Sequence, residues 1–145
     1  MIVIASDHAG VELKAQMVSL VASLGQEIRD LGPDDTASVD YPDYAHAVAD
    51  AVSASEAERG ILICGTGIGM SMSANRHPGV RAALCHDAYT AEMARRHNDA
   101  NVLCLGARVT GDGVAEQIVR VFLGTDFEGG RHQRRIDLIE IEQEG

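Results

Sequence analysis

Residues 60–76 read G-I-L-I-C-G-T-G-I-G-M-S-M-S-A-N-R, and this stretch decides the fold. Ile61-Leu62-Ile63 is a short, largely β-branched apolar run ending in Cys64. Such a run suits a strand buried on both faces of a parallel sheet. Gly65, Gly67 and Gly69 alternate after it, and Met70, Met72 and Ala74 then lie among small polar residues ahead of Pro78. The pattern predicts a short helix ending near Arg76. A glycine-rich turn between strand and helix gathers backbone N–H groups at one point, backed by the positive end of the helix dipole. That point suits an anion or a developing oxyanion. Cys64 and Thr66 stand at its rim, so a thiol and a hydroxyl face the same place.

The loop is neither the dinucleotide fingerprint, which needs G-x-G-x-x-G and an acidic residue roughly 20 positions on, nor a P-loop, since no Lys follows. A cysteine at a strand end equally suits packed core. A helix N-terminus, however, is where a thiol loses its proton most easily.

Upstream, Ile2–Ala5 reads as a first buried strand, followed by Ser6-Asp7-His8-Ala9-Gly10. Leu13, Met17, Leu20, Val21 and Leu24 recur at helical spacing, and Gly25 closes that helix. Residues 27–31 form a second, more polar strand expected near a sheet edge. A loop rich in Asp, Gly and Pro spans 32–40, and Pro42 opens a helix with Tyr44, Ala45, Val48, Ala49 and Val52 on one face. Downstream, strands are expected at 80–85 and 102–105, with helices at 87–97 and 113–123. Asp87 is placed to cap the first of these helices. In the second, Val114, Ile118, Val121 and Phe122 are expected to point inward. Gly129-Gly130 breaks the chain before a last helix at about 131–142.

Five alternations of strand and helix predict one domain over residues 1–145. The expected fold is a three-layer α/β/α sandwich with a five-stranded parallel, Rossmann-like sheet. Ligands of such sheets lie beyond the carboxyl ends of the strands, where strand order reverses. With the first and third strands adjacent there, Asp7 and His8 would share a crevice with Cys64 and Thr66. His97 and Asn98 lie just before the fifth strand, so the connectivity does not guarantee their approach to that crevice.

A net charge of −10 argues against general nucleic-acid binding. No apolar run approaches the about 18 residues of a membrane span, and no leader pattern precedes Ile2, so a cytoplasmic location is expected. Three cysteines, Cys64, Cys85 and Cys104, without a C-x-x-C pair, favour neither a disulfide framework nor a zinc site. The cluster of Arg131, His132, Arg134 and Arg135 stands out on an acidic chain as a local anion site. Taken singly, each candidate has an ordinary structural use: Asp7-His8 as a helix cap, His97-Asn98-Asp99 as a helix-ending turn, Tyr41-Pro42 as a helix entry, the basic run as a solvated face. The residues alone stop at a small anionic ligand with Asp, His, Cys and Thr available for proton transfer.

Together, A-S-D-H-A-G at 5–10, D-Y-P-D-Y at 40–44, I-L-I-C-G-T-G-I-G at 61–69, A-N at 74–75, R-R-H-N-D at 95–99, G-A-R at 106–108 and E-G-G-R-H-Q-R-R at 128–135 resemble the type B ribose 5-phosphate isomerases of the ribose/galactose phosphate isomerase family. The resemblance implies interconversion of ribose 5-phosphate and ribulose 5-phosphate through a cis-enediolate, without metal or organic cofactor. It implies Cys64 as the base moving a proton between C2 and C1, with Thr66 beside it. The amides of Gly65, Gly67 and Gly69 would hold the enediolate oxygen, His97 and Asp7 would open the furanose ring, and Asn98 and Tyr41 would contact the sugar. His8, Arg108, Arg131 and Arg135 match phosphate ligands, and His132 sits within that binding cluster. It further implies a homodimer, or a dimer of dimers, with shared active sites, the last helix reaching the neighbouring subunit. One branch of the family replaces this cysteine with a glutamate at the position of Met70, so here Cys64 has no rival in the loop. The alternatives are a six-carbon substrate, allose 6-phosphate or galactose 6-phosphate, and a non-catalytic phosphosugar-binding module.

Overall fold

The computed structural model of this chain describes residues 1–141. Five parallel strands form one sheet: β1 (Ile2–Ser6), β2 (Ile28–Asp30), β3 (Arg59–Cys64), β4 (Ala82–Leu84) and β5 (Val102–Gly106). Their spatial order is β2-β1-β3-β5-β4. The central three strands are the apolar ones because both their faces are covered. Ile61 and Ile63 of β3 pack into the core on one face, while Leu62 and Cys64 pack into the core on the other. This period of two is the strand geometry expressed in side chains. β2 has no fully buried residue, as its polar sequence and edge position require.

Among the described residues, six α-helices flank the sheet: α1 (Val11–Ser23), α2 (Tyr41–Ser53), α3 (Ile68–Ala74), α4 (Ala88–Asn98), α5 (Asp112–Gly124) and α6 (Arg131–Asp137). Residues of α1, α4 and α5 share one core with Ile4, Ile63 and Leu105, and residues of α2 and α3 share the other with Val3, Leu62 and Cys104. The result is the expected three-layer sandwich. None of the described helices is long and apolar enough to cross a membrane.

Three expectations are corrected. Val114 is 43% exposed, and the inward stripe of α5 is Ala115, Ile118, Val119 and Phe122. Both sets keep helical spacing, but Val114 lies about 100° round the helix from Ala115 and so turns away from the core. β4 is Ala82–Leu84 rather than 80–85, because the Val80 amide is taken by a turn to His77 O at 3.2 Å and Asn75 holds Ala82 by a pair of side-chain hydrogen bonds. The last helix ends at Asp137, short of the expected 142. There the backbone tightens, with Leu138 N donating to Arg135 O, and the Glu140 carboxylate is tied to the Gly79 amide at 2.8 Å. Residue 142 itself lies outside the described residues. A charge is also buried where an apolar stripe was expected: Lys14, 3% exposed, donates to both Asp30 oxygens at 2.7 and 2.8 Å and ties α1 to β2.

Candidate active site

Strand order reverses between β1 and β3, so the chain leaves these two neighbours in opposite directions at their carboxyl ends. Asp7 follows β1, and its amide donates to Ile63 O at 3.0 Å, which fixes it one residue from Cys64 across the ladder. The Asp7 carboxylate is buried and accepts from Ala9 N at 2.9 Å, so it caps the 3-10 turn His8–Gly10. His8 Nδ1 accepts from Val39 N at 3.2 Å. That bond leaves the ring proton of the neutral imidazole on Nε2, as a donor.

Cys64 is 5% exposed, and the Gly67 amide donates to its Sγ at 3.1 Å. The amide expected to face a ligand is thus committed to sulfur. The Ile68 amide is likewise taken by Thr66 Oγ1 at 3.2 Å. The amides of Gly65, Thr66 and Gly69 have no hydrogen-bond partner among the described residues. Gly67 makes this loop possible: its φ is +79°, and a methyl there would stand 2.5 Å from Leu84 Cδ1 and 2.9 Å from the Leu105 carbonyl carbon. Tyr41 packs over Gly69, where an added methyl would meet the ring at 2.5 Å, and Arg108 lies along Gly65, with Nη1 3.3 Å from such a methyl. Asp7, His8, Tyr41, Cys64, Gly65, Thr66, Gly67, Gly69 and Arg108 therefore surround one loop.

The other five candidates do not join them. Asn98 ends α4 four residues before Val102, which pairs with Gly60 at the amino end of β3, whereas Cys64 pairs with Gly106 at the carboxyl end. At about 3.3 Å per residue, those two levels of the sheet are separated by roughly 13 Å. His97 is half-exposed at the amino end, stacked on His132 with ring centroids 4.4 Å apart. Arg131 and Arg135 share α6 with His132, so they belong to this second cluster. Burial, with the neighbouring His97 and Arg131, holds the His132 imidazole below its ordinary pKa. Within one chain, His97, Asn98, Arg131, His132 and Arg135 lie toward the amino ends of the strands, away from Cys64 at the carboxyl end of β3.

Sequence reasoning assigned no role to Glu128. Its carboxylate faces both histidines, with Oε2 3.9 Å from His97 Nε2 and 3.8 Å from His132 Nε2. The signal was its place three residues ahead of the basic run, but only the fold brings His97 to it. Asp99, by contrast, is structural: it ends α4 in the left-handed region and pairs with Arg81 and Arg95.

A family model described as Ribose/Galactose Isomerase matches residues 2–139. The chain is 47% identical to ribose-5-phosphate isomerase B of Escherichia coli (strain K12) over 138 residues, 94% of this chain and 93% of the relative. It is also similar to a solved ribose 5-phosphate isomerase of Thermotoga maritima, with 51% identity, TM-score 0.93 and 95% of each chain covered. A structure of ribose-5-phosphate isomerase B from Mycoplasma genitalium with bound ribulose-5-phosphate aligns with TM-score 0.92 and 50% identity, covering 95% of this chain and 92% of that one. The chain belongs to the ribose/galactose isomerase family and is, as that family is, a sugar isomerase.

Proposed function

We propose that this chain interconverts ribose 5-phosphate and ribulose 5-phosphate through a cis-enediolate, at sites shared between the two subunits of a homodimer. The contact of the Gly67 amide with Cys64 Sγ at 3.1 Å carries the proposal. It fixes the sulfur, the candidate proton acceptor, beside three amides that have no partner among the described residues and suit an oxyanion. In the open-chain aldose, the Cys64 thiolate takes the C2 proton, and the electrons left behind form the enediolate. The resulting thiol returns the proton to C1 while the O2 proton passes to O1, so the aldehyde becomes an alcohol and C2 a carbonyl. The amides of Gly65, Thr66 and Gly69 meet the negative oxygen as it forms, in an apolar, preorganised setting where each such donor contributes about 10²–10³ in rate. Asp7 and Thr66 orient the substrate hydroxyls, and Tyr41 covers the sugar. His8 Nε2 and Arg108 take the phosphate, a planar guanidinium suiting the dianion.

The separation of the two clusters supports the shared site. In a homodimer, His97 and Asn98 would enter the neighbour's crevice together with Arg131, His132 and Arg135, supplying ring opening, sugar contacts and further phosphate ligands. The surface leaves apolar side chains for such an interface: Ile68, Met72, Leu138 and Ile139 are 47–72% exposed. The five-carbon substrate accords with the family members it resembles at high coverage. A coupled assay with ribose 5-phosphate and allose 6-phosphate side by side tests the substrate. Turnover confined to the six-carbon sugar would overturn it, and tight binding of either without turnover would make the chain a phosphosugar-binding module.

A further inference from the structure

We propose that the backbone amide of Val39 is a positioning group for phosphate recognition, fixing the His8 ring so that Nε2 meets the sugar's phosphate as a donor. This role rests on His8 as a phosphate ligand of the proposed function. The loop 33–40 has few hydrogen bonds to the rest of the chain. Its amino end is fastened at Gly32, whose carbonyl accepts from Ser6 N at 3.1 Å and whose amide donates to Asp30 Oδ1 at 2.8 Å. Its carboxyl end becomes α2 at Tyr41, which packs over Gly69. Between these points the Ala37 amide donates within the loop, to Asp35 Oδ1 at 3.0 Å. Among the described residues, the Val39 amide is the one that reaches out of the loop. Its acceptor is His8 Nδ1 at 3.2 Å, 31 positions away in the chain.

Backbone and ring of His8 are therefore both held. The backbone lies in the turn capped by Asp7, with Ala9 N on the Asp7 carboxylate at 2.9 Å and Gly10 N on the Asp7 carbonyl at 3.2 Å. The ring is held at Nδ1, which stays an unprotonated acceptor, so the proton of the neutral imidazole sits on Nε2. His8 is part-exposed, and its Nε2 has no partner among the described residues. An untethered surface imidazole gives up ring rotation and a choice of tautomer when it binds, and that ordering weakens affinity. The Val39 bond settles both beforehand. It also joins two flanks of the crevice, because the amide that orients His8 stands just ahead of Tyr41, where the chain enters α2.

Amide hydrogen exchange, followed by NMR on the full chain, tests the bond itself. Val39 should exchange more slowly than Ser38 and Asp40, whose amides have no partner among the described residues, and His8→Ala should remove the difference. Binding of inorganic phosphate and kinetics with ribose 5-phosphate test its use. Val39→Pro deletes the donor and should weaken phosphate binding and raise KM by about 10-fold, the scale of one hydrogen bond, with kcat nearly unchanged. Ala37→Pro controls for loop shape: it removes an amide donor of the same loop without touching His8, and should leave KM near its wild-type value. In a His8→Ala background, Val39→Pro should cost nothing further, because its effect runs through the ring. Should Val39→Pro not fold, an ester at that peptide bond, from the α-hydroxy analogue of valine, removes the same N–H and is read the same way. An unprotected Val39 amide in the wild type, equal losses in the two proline variants, or an undiminished loss in the His8→Ala background overturns the positioning role. A His8→Ala variant that binds phosphate as tightly as the wild type overturns the phosphate role given to His8, and the positioning role falls with it.

Discussion

At the scale of single residues, the three cysteines share a residue type and differ in surroundings. Cys64 accepts a hydrogen bond from Gly67 at the rim of a loop with free amides. Burial pushes the Cys85 thiol up to about 11 and the Cys104 thiol higher still. Cys64→Ala should therefore abolish turnover, by several powers of ten, while substrate still binds, since proton transfer is lost and the phosphate ligands remain. Cys104→Ala should keep its turnover. Paired kinetics and calorimetry check both, and substantial activity in Cys64→Ala would remove the base assignment. The pH dependence of stability has a definite sign. A thiol raised above its ordinary value of 9.0 keeps its proton in the folded state while the unfolded chain has already lost it. Stability from Cys85 is then complete below about pH 9 and declines as pH rises toward about 11. Urea unfolding across that window should show the decline, flattened in Cys85→Ala.

At the scale of elements, α3 begins where a left-handed residue must stand. Gly67→Ala imposes that conformation on a side chain and drives its methyl against Leu84 and the Leu105 backbone. Strain alone costs roughly 1–3 kcal/mol, and the displaced amide leaves Cys64, so activity should fall further than stability does. Gly113→Ala is the opposite case, because its added methyl meets nothing within 4 Å inside α5. It should raise stability by about 0.5–1 kcal/mol, readable as an upward shift in thermal midpoint. α1 is fastened by a single buried cation. Asp30→Asn leaves Lys14 without its charge partner, a loss of about 2–4 kcal/mol given that the carboxylate side is partly exposed. Lys14→Met should cost clearly less, since an apolar chain fits the same slot. Chemical denaturation of the pair decides between them.

At the scale of the whole molecule, the candidate residues divide between opposite ends of the strands of one sheet. The proposed homodimer makes a quantitative claim about that division. Cys64→Ala and Arg135→Ala are each expected to be inactive alone. A mixed dimer carries both lesions in one site and neither in the other, so an equal, random mixture refolded together should recover up to about a quarter of wild-type activity. Recovery near zero, with mixed dimers verified by mass, would place both residues in one chain's site.

What the sequence determined by itself is what depends on local pattern. The alternation of β-branched runs with 3.6-period helices set the layers and the sheet. Glycine spacing after Ile61–Cys64 marked the loop, and the polar character of 27–31 marked an edge. These signals are carried by neighbours in the chain, so they survive without coordinates. Tertiary structure alone decided which distant groups meet. His97 and Asn98 lay beyond the reach of connectivity arguments, and the sheet register places them toward the amino ends of the strands, roughly 13 Å or more from Cys64. The inward face of α5 turned on one position, Val114 against Ala115, which a short apolar stretch does not discriminate. The burial of Lys14 depended on a carboxylate sixteen residues away. The commitment of the Gly67 amide to Cys64 Sγ, like the meeting of Glu128 with His97 and His132, is a matter of backbone direction over a few ångströms. Such contacts are set by how α3, α4 and α6 pack, and packing is a property of the assembled layers rather than of any one segment.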